Sequence, residues 1–263
     1  PSSNGGIRFA HALVRETLYE AILPPRRRMW HRKIAETLAA TPGSDPDAIA
    51  FHFEQAGDAR AWEWLVQAGN RAHRSYAWRT AADRLEAAAS VLESKEDHAR
   101  DRGWLLYRIG RLLRSADPAR GVAYLEEAQR IGELLNDPAL AAYALFDRGT
   151  IYCIGGNIAR GIDAMERGDA ALDALSAVER LRPEILPWIA DSLPGNRQAS
   201  SMPEGAALSR HHPRRGTLVF WLALAGRLSE ADAIGGLYLR DLDPSSEIGV
   251  IVRSSAADAH FGI

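Results

Sequence analysis

Several groups of residues in this chain have the types and the spacing to act together. His11, Val14, Leu18 and Ile22 follow one another at intervals of three, four and four, which stacks them on one helical face and turns His11 inward among aliphatic side chains. The first expectation for an imidazole there is a core histidine satisfied by a local partner. Three further sets share intervals of three, four and three: Glu63, Val66, Asn70 and His73; Trp104, Tyr107, Arg111 and Arg114; Tyr143, Phe146, Thr150 and Cys153. On adjoining helices, aromatics followed by arginines suit a peptide carboxylate or an anionic metabolite, held by stacking and forked hydrogen bonds. The expected groove is therefore Asn70, His73, Trp104, Tyr107, Arg111, Arg114, Tyr143 and Phe146. The competing expectation is that neighbouring hairpins cover much of this face.

Other clusters point elsewhere or nowhere. The run "PPRRRMWHRK" has the clustered arginines that suit phosphates, yet such a run is more often a solvated face. His211 and His212 are adjacent but lack a cysteine or carboxylate at ligand spacing, so no metal is expected. A phosphate-binding loop needs Gly-Lys-Ser/Thr, and neither Lys33 nor Lys95 follows a glycine. No histidine pair flanks a glutamate at zinc-protease spacing, and no Gly-x-Ser-x-Gly elbow or calcium loop occurs. No catalytic residue is expected in this chain.

The elements that must position these residues read as helices. Strand-like alternation is scarce. Asp45-Pro46, Asp117-Pro118 and Asp137-Pro138 each offer an N-cap acceptor followed by proline at the first helical position, and Asp58, Asn157 and Ser229 are further candidate caps. Gly69, Gly110 and Gly149 are 41 and 39 residues apart, each inside an apolar-periodic helix. After each comes a small–large–small set at intervals of four and three: Ala81, Leu85, Ala88; Gly121, Leu125, Ala128; Gly161, Met165, Gly168. A mid-helix glycine costs ~1 kcal/mol relative to alanine, so glycines in register imply close helix packing. Repetition at this period predicts stacked helical hairpins.

Bulk properties narrow the class. The chain has 263 residues, 46% hydrophobic and 25% charged, an ordinary globular composition. A net charge of −2 argues against a chain built chiefly to hold nucleic acid. Residues 1–40 nevertheless carry seven basic against three acidic side chains. The single cysteine, Cys153, excludes an internal disulfide and suits a reducing cytoplasm. No run approaches the ~18 apolar residues of a membrane span. The opening "PSSNGG" has neither an initiator Met nor a signal segment, so a cytoplasmic piece of a longer polypeptide is expected.

The stretch "YALFDRGTIYCIGGNIARGIDAMERGDAAL" (143–172) resembles a tetratricopeptide repeat, with Gly149, Tyr152, Gly161, Met165 and Gly168 at that family's signature positions. The stretch "RFAHALVRETLYEAILPPRRRMWHRKIAETLAA" (8–40) resembles the end of the winged-helix module of bacterial STAND signal-transduction ATPases, in which a tetratricopeptide arm follows. The LuxR-type members of that family are transcriptional regulators ending in a DNA-binding helix-turn-helix, and other members carry a nucleotide cyclase.

The resemblance implies an all-α fold: a superhelical array of antiparallel, tetratricopeptide-like hairpins preceded by a small segment derived from the winged helix. It further implies a longer parent that uses ATP and ADP, with no cofactor in this piece. An inducer, peptide or partner protein would occupy the repeat groove, and DNA would be met only through a domain outside the chain. Plant immune receptors related to these ATPases carry Met-His-Asp where His11 stands, and their histidine reads the nucleotide's phosphate. His11 is thus implied as a nucleotide sensor, although Ala12 replaces the acidic residue. The expected organisation is 1–44 winged-helix end, 45–175 repeats, 176–215 a proline-rich connection, and 216–263 a further hairpin with the start of another. Rival outputs are regulation of a cyclase or protein kinase, or a passive interaction scaffold.

Overall fold

The computed structural model describes residues 12–176 and 214–240. Among them there are eleven α-helices, one 3-10 turn and no strand. They are α1 (Ala12–Glu20), α2 (Pro24–Ala39), α3 (Pro46–Ala56), α4 (Ala61–Arg74), α5 (Trp78–Val91), α6 (Ala99–Leu113), α7 (Pro118–Leu134), α8 (Pro138–Ile154), α9 (Ile158–Asp173), α10 (Arg214–Leu224) and α11 (Leu228–Arg240). The all-helical expectation holds, and successive helices pack as adjacent pairs. His11, His211 and His212, and most of the proline-rich stretch, lie outside the described residues.

The chain divides into two compact units, residues 1–68 and 69–263, and the division falls inside α4. The expected boundary at residues 44 and 45 therefore lies within the first unit, where α2 packs on α3. That unit buries Ala35, Ile49, Ala50, Phe53 and Ala56. Its helices start on prolines, Pro24 and Pro46, whose missing N–H groups cost nothing at a helix entry. α3 ends at Gly57, whose φ of +65° lets the Asp58 N–H return to the Phe53 carbonyl at 2.9 Å.

In the second unit three caps foreseen from the sequence form, while α5 and α6 start after Ala77 and His98 without a side-chain cap. Asp117, Asp137 and Asn157 each accept from a backbone N–H three residues on, at 3.2, 3.2 and 3.3 Å. Ser229 is the exception: α11 already begins at Leu228, so the serine sits inside the helix.

The three glycines do what their register predicts. A Cβ on Gly69 would meet the Leu85 side chain at 3.1 Å. One on Gly110 would meet Leu125 at 2.6 Å and the Gly121 carbonyl at 2.9 Å. One on Gly149 would meet the Gly161 carbonyl at 2.5 Å and Met165 at 2.8 Å. Each large partner (Leu85, Leu125, Met165) is fully buried. Three successive helix pairs thus repeat one contact, in which a small residue lets a large one fill the groove.

The hairpin α10–α11 packs against α9 although residues 177–213 intervene in sequence. Phe146, Cys153, Ile162, Met165, Leu218, Leu222, Ala223 and Ala231 form one apolar cluster there. Two arginines reinforce it: Arg215 pairs with Asp169 and Asp173, and Arg227 bonds Glu166 at 2.8 Å and Glu230 at 2.6 Å.

Candidate functional site

The expected groove residues fall into three places. Trp104, Tyr107, Arg111 and Tyr143 come together between α6 and α8. Intervals of three and four on α6 bring Trp104, Tyr107 and Arg111 to one face, and Tyr143 of α8 meets them. The Trp104 and Tyr107 ring centroids lie 5.6 Å apart and nearly perpendicular; Tyr143 lies 6.3 Å from Trp104 and 6.1 Å from Tyr107. All three aromatics are buried.

Two aspartates that the sequence reading had not connected to this cluster satisfy its polar atoms. The Tyr107 hydroxyl donates to Asp147 Oδ2 at 2.6 Å. Arg111 Nε lies 3.3 Å from the same oxygen but out of line for a hydrogen bond, so the pair is held by charge. The Arg111 guanidinium also lies 5.7 Å from the Tyr107 ring centroid. Trp104 Nε1 donates to Asp137 Oδ2 at 3.3 Å, and Arg100 Nε reaches that oxygen at 3.2 Å. Asp137 thus caps α8 and neutralises Arg100 at once, while completely buried. Burial, together with the adjoining Asp147, pushes the Tyr107 hydroxyl well above its ordinary range, so it stays a donor.

Asn70 and His73 are elsewhere. Asn70 accepts from Arg108, and buried His73 packs its ring edge-on to Trp78 at 4.8 Å. Phe146 corrects the expectation most directly, because it belongs to the apolar cluster under α10 and its Cβ closes on Gly168. α6 is buried on every side from Gly103 to Ile109. An open aromatic trough is therefore not what this set forms; it is a largely interior cluster that supplies its own anions. The physical reason is that the same three–four–three spacing serves a helix buried all round as well as a helix lining a groove.

What remains available for an external group is cationic. Arg114, the residue that caps the C-terminal end of α6, is exposed, and Arg111 is partly so. The cluster holds a fixed charge arrangement and can accept an anion at its arginine edge, since Asp147 is spent on Tyr107 and Arg111, and Asp137 on Trp104 and Arg100.

A second polar cluster, missed from the sequence, lies in the first unit. His31 of α2 bonds Tyr19 Oη through Nε2 at 2.9 Å and His52 Nδ1 through Nδ1 at 2.8 Å. In sequence, His31 sits inside an arginine run and reads as part of a basic segment. His52 had no motif around it, and only the facing of α2 and α3 reveals the pair. Among the described residues no group of three or more histidine, cysteine or acidic side chains is arranged to hold a metal ion, and no helix is long and apolar enough to cross a membrane.

Comparison of the chain with protein-family models, with curated proteins and with solved structures gives no match.

Proposed function

We propose that this chain is the regulatory helical-repeat arm of a signal-transduction ATPase of the LuxR type, working in the cytoplasm by binding a partner and performing no catalysis itself. The observation that carries the reading is the contact repeated at Gly69–Leu85, Gly110–Leu125 and Gly149–Met165, followed by the stacking of α10–α11 on α9. Hairpins that bury one another through a repeated contact grow by addition, and such arrays present extended surfaces to proteins and peptides. The resemblance of residues 8–40 to a winged-helix end supplies the link to an ATPase and places His11 as its nucleotide contact. The effector is an inducer, peptide or protein with an anionic group, met at Arg114 and the outer edge of Arg111. Binding acts on the switch only if the effector prefers one of its states.

The test is to read the parent reading frame on both sides of the chain. A Gly-Lys-Ser/Thr loop upstream and a helix-turn-helix downstream are the expected result. A cyclase or kinase domain in place of the helix-turn-helix moves the output from transcription to catalysis. A frame with none of these domains overturns the ATPase reading and leaves a passive scaffold.

A further inference from the structure

We infer that the His31–His52 pair is a pH-sensitive latch, holding α1 on α2 near neutral pH and releasing it in acid. The inference concerns the first unit alone and stands whether or not the proposed ATPase is correct.

The geometry defines a relay across three helices. Tyr19 Oη of α1 meets His31 Nε2 of α2 at 2.9 Å, and His31 Nδ1 meets His52 Nδ1 of α3 at 2.8 Å. Two ring nitrogens at that separation share a single proton: one is N–H and the other must accept. With both rings neutral, Tyr19 donates to Nε2 and His31 donates to His52, or every donor reverses. A first added proton is tolerated, because a His31 imidazolium donates to the Tyr19 oxygen and to His52 together. A second proton sets N–H against N–H between two like charges 2.8 Å apart, which drives the rings apart and carries His31 Nε2 off the Tyr19 oxygen.

No carboxylate among the described residues offsets a charge on either ring. The titratable and charged groups facing the rings are Tyr19 from α1, Arg27 from α2 and the two histidines themselves. Arg27 lies over the Tyr19 ring at 5.0 Å and adds positive charge to the site. Arg32 and Glu36 of the same helix are engaged with Asp58 and Arg60 instead. Among the described residues no carboxylate bonds either imidazole. Phe51 closes the site with its ring edge-on to His31 at 6.0 Å and to His52 at 5.3 Å.

Burial first, then His52 and Arg27, hold His31 below the ordinary imidazole range, and burial does the same for His52. Opened or unfolded, the rings regain their ordinary affinity for protons. The open state therefore binds more protons as pH falls below about 6.5, and the latch weakens on the acid side of that value.

α1 is the element that would leave. Its side chains from Glu16 to Glu20 are all exposed, and Leu13 is 75% exposed. The described side-chain contacts that join it to α2 run through Tyr19: the hydroxyl to His31, the ring edge-on to the same imidazole at 5.9 Å, and Arg27 over its face. With Leu13 and the side chains from Glu16 to Glu20 exposed, opening at this end costs little free energy once the polar tie is lost.

Hydrogen exchange of peptides covering residues 12–23, at pH 7.5 and pH 5.0 and corrected for intrinsic exchange, tests the latch. We expect protection of α1 to fall at least tenfold in acid, while peptides of α3 keep theirs. His52→Asn keeps a neutral hydrogen-bonding group beside His31, and its α1 should lose less than threefold. Tyr19→Phe alters an exposed residue and needs no refolded core; its α1 should be unprotected at both pH values. Equal α1 protection of the unaltered chain at both pH values overturns the latch. So does a tenfold acid loss that persists in His52→Asn, or a Tyr19→Phe chain protected as well as the unaltered one at pH 7.5.

Discussion

Helices α6–α9 and helices α1–α3 are held together by different physics. Between α6 and α9, backbones touch. Glycines at 110, 121, 149 and 161 face one another across helix pairs so closely that added Cβ atoms would collide with carbonyls and buried side chains. Such packing is dry, non-titrating and intolerant of volume. In α1–α3 the apolar contribution is smaller, with Leu13, Leu18, Leu23, Met29, Trp30, Ile34 and Phe51 all at least 40% exposed. A histidine–tyrosine relay and an Arg32–Asp58–Arg60–Glu36 ion cluster supply specificity there. The lesson is that one chain uses shape where rigidity serves it and proton-dependent bonds where movement does. Helices α6–α9 should answer to volume and helices α1–α3 to pH.

The sharpest way to test the volume side is Gly149→Ala. In an open helix that change stabilises by ~1 kcal/mol. Here the new methyl meets the Gly161 carbonyl at 2.5 Å and Met165 at 2.8 Å, and the carbonyl cannot yield without moving α9. Urea unfolding should show a loss of about 3 kcal/mol. Gly69→Ala meets only the flexible end of Leu85 at 3.1 Å, with the Ala81 carbonyl at 3.4 Å, and should stay within about 1 kcal/mol of the parent. If the two variants lose equally, the close approach is not what sets stability in α8–α9.

Next in size is Asp147→Ala, which probes whether the fitted region also depends on charge. It leaves the buried Tyr107 hydroxyl without its acceptor and Arg111 without its anion. Arg111 is partly exposed, so water recovers some of the loss, and about 2 kcal/mol is expected by urea unfolding. Asp147→Asn, which keeps an acceptor for Tyr107, should cost less than half of that. An alanine variant as stable as the parent would make the cluster dispensable.

A smaller effect, of opposite sign, is expected at Tyr76. The turn after α8 places Gly156 at φ +88° and the turn after α10 places Gly226 at φ +77°. At the corresponding turn after α4, Tyr76 takes φ +59° with its side chain 74% exposed. A non-glycine residue there costs ~1–2 kcal/mol, and glycine returns part of it as unfolded-state entropy. Its ring does pack edge-on to Trp78 at 5.5 Å, which offsets some of the gain. Tyr76→Gly should stabilise the chain by about 0.5 kcal/mol in thermal unfolding, and a clear loss would show that the aromatic contact outweighs the strained turn.

How much of this was legible in sequence follows from the same contrast. Shape-based packing repeats, so Gly110, Leu125 and their counterparts announce themselves by register. Caps are local, so Asp117 and Asn157 could be read from their neighbours. Asp137 was read as a cap and is one, but its bonds to Trp104 and Arg100 join segments more than thirty residues apart, and no local pattern encodes that. Asp147 lies in the α8 helix with no motif around it. The aromatic–arginine spacing on α6 was correctly seen as one face, yet spacing cannot tell a groove from a core. Burial of Trp104 and Tyr107 decided it. The His31–His52 relay was illegible because it depends on how α2 and α3 face each other. His11, the histidine the sequence pushed forward, lies outside the described residues.

The smallest expected effect tests the comparison from its weaker side. Leu125→Ala removes a fully buried side chain from the fitted region and should cost about 3 kcal/mol or more. The same change at Leu18, which is 53% exposed on α1, should alter the free energy of unfolding in urea by less than about 0.5 kcal/mol. The difference isolates burial, because the atoms deleted are the same. It also bears on the latch, since a helix released by protons must not be anchored by its leucines. If Leu18→Ala cost more than about 1 kcal/mol, α1 would be held by apolar packing after all. Protonating the histidine pair could then not free it, and the two regions would differ in degree only.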